Sequence, residues 1–161
     1  MLMNKCVFCK IANGSVPSAK IWEDKDFIAF LDIYPNTEGM TLVMPKKHYS
    51  SYIFDAPDSV VSKLMKAVKK VSKMLERAFE TKRVAVVNEG MGVNHLHVKL
   101  YPLHGVNKNF NPTESKDQIF FEKYEGYVST MLGPRKDTEY LSKLAQEIIE
   151  KNNEKKTFHS N

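Results

Sequence analysis

The chain is poor in cysteine and in long apolar runs. Its two cysteines, Cys6 and Cys9, are too few for a disulfide framework. No run approaches the roughly 18 apolar residues of a membrane span. The opening Met1-Leu2-Met3-Asn4-Lys5 lacks the apolar centre of a signal peptide. Internal repeats and low-complexity linkers are missing too. These absences predict a cytoplasmic protein with no membrane partner. What is present, 42% hydrophobic and 27% charged residues in a chain of 161, matches a globular protein of one domain with enough surface to bury a core.

Acidic excess is also lacking: the formal charge is +5. Residues 1–104 carry 15 Lys/Arg against 10 Asp/Glu, and residues 105–161 carry 9 of each, so the whole excess lies in the first part. Lys63, Lys66, Lys70 and Lys73 share one side of an amphipathic stretch, opposite Val61, Leu64, Met65, Val68, Val71 and Leu75. That arrangement reads first as a solvated helix face. An anionic small substrate accounts for the charge equally well. Nucleic acid is not the expected partner, because no aromatic residue is interleaved with these lysines.

In chain order, Cys6 to Ala12 is a short segment ended by the turn Asn13-Gly14-Ser15-Val16-Pro17. Lys20 to Glu23 and Phe27 to Ile33 read as a hairpin, and Met40 to Met44 as a third strand stopped by Pro45. Asp55 and Asp58 bracket Pro57 at a helix start, and the apolar period runs to about Phe79. Trp22 is assigned to the core or a subunit interface, and His104 to a surface loop. The aromatic-rich stretch Ile119 to Thr130 is a candidate extra strand, and Asp137 a cap for a last helix carrying Leu141, Leu144, Ala145 and Ile148 on one face.

One stretch carries the chemistry. Val84-Ala85-Val86-Val87 followed by Asn88 to Pro102 reads as strand, glycine-containing turn and strand. Alternation in the second strand sends Leu96, Val98 and Leu100 into a core and His95, His97 and Lys99 to the other face. Two imidazoles and an ammonium in a row are poorly explained by packing. Cys6-x-x-Cys9 has the spacing of two thiolates in a structural zinc site, of a redox pair, or of two buried free thiols.

Five segments taken in order resemble the histidine triad (HIT) family of nucleotide hydrolases and transferases: Cys6 to Ile11, Phe30 to Pro35, Gly39 to His48, Asn88-Glu89-Gly90 and His95 to Lys99. The resemblance covers about residues 6–102. It implies an α+β fold in which an antiparallel sheet carries a packed helix, paired as a homodimer. The expected division is a HIT-like domain over 1–104 and an extension over 105–161 packed on the same domain. The resemblance makes His97 the nucleophile, since a neutral imidazole can attack phosphorus and give a nucleotidyl-imidazole that water cleaves. Lys99 stands where the family carries its third histidine; it can hold a phosphate oxygen, but an ordinary lysine, titrating near pH ~10, does not shuttle protons at neutral pH. Met40 replaces a family histidine, and the link from Gly90 to His95 is short, with Asn94 as a partial substitute for the usual phosphate binders.

The resemblance further implies a Cys2His2 structural zinc site of Cys6, Cys9, His48 and His95, tying the N-terminal arm to the strand that holds His97. Phe8, Ile11, Phe30, Leu31 and Ile33 would line the pocket of an adenine or other purine base, with Asp32 accepting from ribose hydroxyls and Asn88 near the ribose-phosphate. The resulting expectation is an enzyme that cleaves a nucleoside phosphate derivative at the α-phosphorus through a covalent intermediate on His97. The alternatives are a nucleotidyltransferase or phosphorylase and a non-catalytic nucleotide-binding module.

Overall fold

Strands that must be apolar on both sides lie at the centre of the architecture. In β2, Phe27–Leu31, and β3, Thr41–Pro45, nearly every residue is buried, so both faces of the sheet are covered there. The computed structural model describes residues 6–106, 109, 111, 112 and 120–124. Two compact units divide the chain, residues 1–111 and 112–161. Every helix and strand named below belongs to the first.

The sheet has five antiparallel strands in the order β1-β2-β3-β5-β4, with β1 at Lys20–Glu23, β4 at Val84–Val87 and β5 at Val98–Pro102. The β1–β2 turn is closed by Asp24, whose Oδ1 accepts from the amides of Asp26 at 2.8 Å and Phe27 at 2.7 Å. A short helix α1, Val7–Ala12, precedes the sheet, and a long helix α2, Asp58–Ala78, links β3 to β4.

Each face has its own core. On one, α2 lays Leu64, Ala67, Val68, Val71 and Leu75 against Phe27, Ala29, Val43, Leu96, Val98 and Leu100, in the period that an amphipathic helix requires. On the other, Phe8 of α1 covers Ile28, Phe30, Leu42 and Met44. The α+β sheet-and-helix fold expected from the sequence is the one observed. Truncating a fully buried member such as Leu100 to alanine costs about 2–5 kcal/mol.

Several details differ from the sequence reading. Met65, placed on the apolar stripe, is 43% exposed, because the stripe turns away from it between Leu64 and Val68. β2 ends at Leu31 rather than Ile33, and Ile33 is 82% exposed. β3 is shifted by one residue and takes in Pro45, whose missing amide suits the end of a strand. Residues 120–124 form no strand, and the remainder of the Ile119–Thr130 stretch and the helix after Asp137 lie outside the described residues.

Candidate active site and metal centre

Two glycines let the loops close on the site. Gly90 has φ +73°, and a Cβ there would stand 2.6 Å from the Ser51 carbonyl oxygen. Ser51 is in turn bonded from its amide to Asn94 Oδ1 at 3.0 Å, and the Leu96 amide reaches the Tyr49 carbonyl at 3.0 Å. The loop after β3 is thus stitched to the segment that leads into β5. Gly39, at φ +77°, leaves room for the Phe79 ring.

That stitching brings His48 to His95. Cys6, Cys9, His48 and His95 form one cluster, with ligand atoms all within 4.8 Å of one another, and are close enough to hold a metal ion. Cys9 Sγ lies 3.4 Å from His48 Nδ1 and 3.5 Å from His95 Nδ1, and Cys6 Sγ lies 3.6 Å from His95 Nδ1. His95 Nε2 donates to the Pro45 carbonyl at 2.8 Å. Since a carbonyl only accepts, the proton sits on Nε2 and the Nδ1 lone pair faces the two sulfurs. Burial and the neighbouring Cys6 push the Cys9 thiol up to about 11. Burial also holds His95 below the usual imidazole range.

His97 is 4% exposed, with the Phe8 ring 5.1 Å away edge-on. Its Nδ1–H donates to the His95 carbonyl at 2.6 Å, leaving Nε2 as the lone-pair nitrogen. Asn88 donates from Nδ2 to the His97 carbonyl and pins the main chain there. Burial, then the Lys99 charge, pushes His97 below the ordinary imidazole pKa, so the ring is neutral at pH 7.

Lys99 follows on the same face. Its Nζ lies 3.5 Å from Glu89 Oε1, and both side chains are largely covered. The sequence gives Glu89 no role of its own beyond its place beside Asn88 in Asn-Glu-Gly. Tyr101 is next along the face, its phenol pushed upward by burial and by Asp32 and Glu89. Asp32 lies just past β2, where Oδ1 accepts from the Tyr34 amide at 2.8 Å. Phe8 and Phe30 stack edge-to-face at 5.7 Å within the second core, with Ile11 partly buried beside them. Leu31 is half-buried and Ile33 stands in solvent, apart from that group. Asn94 is exposed. Met40 is buried, and its carbonyl accepts from the Asp32 amide at 2.9 Å. His104 is exposed, with Nε2 donating to the Glu38 carbonyl at 2.9 Å.

Comparison with known proteins agrees with this arrangement. The HIT domain family matches residues 13–105. An uncharacterised HIT-like protein of Methanocaldococcus jannaschii is 40% identical over 60% of this chain and 78% of that protein. The adenosine 5'-monophosphoramidase HNT1 of Saccharomyces cerevisiae is 36% identical over 60% of this chain and 61% of its own. A solved structure from Streptococcus mutans UA159 superposes with a TM-score of 0.67 at 30% identity, covering 92% of this chain and 85% of that one. No helix among the described residues is long and apolar enough to cross a membrane. His95 and His97, expected on the strand itself, sit in the segment just before β5, which starts at Val98. With the antiparallel sheet, the His-x-His run leading into β5 and the family match in agreement, the chain belongs to the HIT family.

Proposed function

We propose that the chain binds a purine nucleoside phosphate derivative on the face carrying Asp32, His97 and Lys99 and cleaves it at the α-phosphorus. The observation that carries this reading is the His97 ring: neutral, held through Nδ1, and presenting Nε2. In the first step Nε2 attacks phosphorus, the bond to the leaving group breaks with its electron pair, and that group takes a proton from solvent. In the second, water attacks phosphorus, the P–N bond breaks, and the electron pair returns to Nε2 while the water proton passes to solvent. Lys99, aligned by Glu89, neutralises charge on a non-bridging oxygen as it grows in the transition state. The second oxygen of Asp32 would take a ribose hydroxyl, Asn88 would stand by the ribose-phosphate, Phe8, Ile11, Phe30 and Leu31 would border the base, and exposed Ile33 would reach it only from the open edge. Asn94 would border the phosphates. The yeast phosphoramidase among the relatives supports an adenosine substrate.

Zinc is the metal that the four-residue cluster fits best. A tetrahedral zinc with bonds of about 2.3 Å to sulfur and about 2.0–2.1 Å to nitrogen separates its S and N ligands by about 3.5 Å. Three of the four S···N separations are 3.4–3.6 Å, and all four ligand atoms lie within 4.8 Å of one another. Bound there by Cys6, Cys9, His48 and His95, zinc would fasten α1 to the approach of β5 and supply folding energy. Thiolate ligands favour a reducing, cytoplasmic setting. Met65 and Val86, at 43% and 47% exposed on α2 and the edge strand β4, support a homodimer.

The test is incubation with adenosine phosphoramidate and with diadenosine tetraphosphate, followed by acid quench and intact-mass analysis. Turnover with a nucleotidyl adduct on His97 supports the proposal. Nucleotide binding with neither would favour a non-catalytic module, a reading to which Met40 and the engaged Lys99 lend weight. Release of a nucleotide only when phosphate or a sugar phosphate is added would favour a transferase.

A further inference from the structure

Lysines crowd the opposite side of the sheet, where nothing above gives them a role. A cavity of about 440 Å³ is lined by Lys25, Asp26, Pro45, Lys46, Lys47 and Lys63 over a floor of Phe27 and Val60. A second, of about 250 Å³, shares Asp26, Phe27 and Lys63 with it and continues along α2 past Lys66 and Lys70. The two make one groove between the β1–β2 hairpin and the first half of α2. Six lysines face two aspartates there, four positive charges in excess. Part of this charge is spent locally, through Lys46 with Glu23 at 2.9 Å and Lys63 with Asp26 at 3.8 Å. No ion pair with a described residue engages Lys25, Lys47, Lys66 or Lys70. One folded surface gathers these charges from three elements, and their mutual repulsion is relieved by a bound polyanion.

We propose that this groove is an accessory binding site for a chain of directly linked phosphates, separate from the His97 face. The spacing of charge selects the ligand. Lys63, Lys66 and Lys70 lie within two turns of α2, about 10 Å of helix at ~1.5 Å per residue, and Lys25, Lys46 and Lys47 close the near end. An extended acidic peptide brings a carboxylate to one face only every ~6.8 Å. Single-stranded nucleic acid needs open ring faces on which its bases stack. The fold supplies the aromatics that the sequence of α2 lacks, but both rings pack against the core and each carries a lysine over one face: Lys70 Nζ sits 4.9 Å from the centre of the Trp22 ring and Lys47 Nζ 5.4 Å from that of Tyr49. Linked phosphates need charge and no stacking surface, and lysine ammoniums are point-charge phosphate binders.

Trp22 is the single tryptophan of the chain and lies in the groove, so its fluorescence reports occupancy without any assay of activity. Inorganic tripolyphosphate titrated into the full-length protein should change Trp22 emission saturably, with an affinity that falls steeply with salt. The triple variant Lys63→Gln, Lys66→Gln, Lys70→Gln should weaken it at least tenfold. The pair Lys25→Gln, Lys47→Gln, on loops where folding is least at risk, should weaken it at least threefold. Four results would overturn the proposal: no saturable change; an equal change from sodium sulfate at matched ionic strength; tighter binding of oligo-dT or of a poly-glutamate peptide; or a response lost in His97→Asn and Lys99→Gln protein but kept in the groove variants. Metal content measured before and after titration guards against chelation, and loss of metal in step with the emission change would also overturn it.

Discussion

If the proposed zinc occupies the four-residue cluster, removing it should loosen one corner of the first unit and leave the rest of it folded. The cluster joins α1, six residues long, to His48 and His95, and apart from it α1 is held chiefly by Phe8. Its free-energy contribution follows from mass action. At 100 times the dissociation constant, a ligand bound only by the folded state stabilises it by about 2.7 kcal/mol. For a unit of this size, about 1 kcal/mol moves the melting point by roughly 4–8 °C. Zinc returned to chelator-treated protein should therefore raise Tm by about 10–20 °C in scanning fluorimetry. Cys9→Ala protein should melt near the chelated value and respond little to zinc. Proteolysis should nick the metal-free chain first around α1. The cycle is the decisive part, because cysteine replacement and chelation acting on one centre cannot add. Additive losses, or an unchanged Tm on chelation, would refute the reasoning.

Three further predictions concern single groups. Metal uptake should weaken as pH falls, by about tenfold per unit from Cys9 alone, since a thiol pushed up to about 11 must release its proton to bind; competition with a chromogenic chelator between pH 6 and 8 reads this directly. His97→Asn should abolish the nucleotidyl adduct while nucleotide binding, followed by calorimetry, persists. Gly90→Ala should cost about 1–3 kcal/mol in urea unfolding, because alanine disfavours φ +73° and its methyl would meet the Ser51 carbonyl.

The two cores were legible in the sequence wherever one periodicity held for long enough. Leu96, Val98 and Leu100 are buried on the α2 side by simple alternation, and the α2 stripe follows its helical period. Met65 departs because a helix of 3.6 residues per turn cannot keep Leu64 and Met65 on one narrow stripe. The six residues of α1 are too few to show a period of their own. The link between Cys9 and His48, 39 positions apart, is legible only through the family resemblance, because it is set by the sheet and by the Ser51–Asn94 bond, of which local pattern carries no trace. Glu89 is legible only as a member of Asn-Glu-Gly; its partner Lys99 is set by the pairing of β4 with β5.

The backbone carbonyl between the two triad imidazoles has a consequence of its own. His95 turns its ring to the sulfurs while its carbonyl oxygen fixes the tautomer of His97. One residue therefore serves both sites, through its ring and through its carbonyl. An oxidant that couples Cys6 to Cys9 would be felt two residues beyond His95, as slack in the His97 ring, without touching that ring at all.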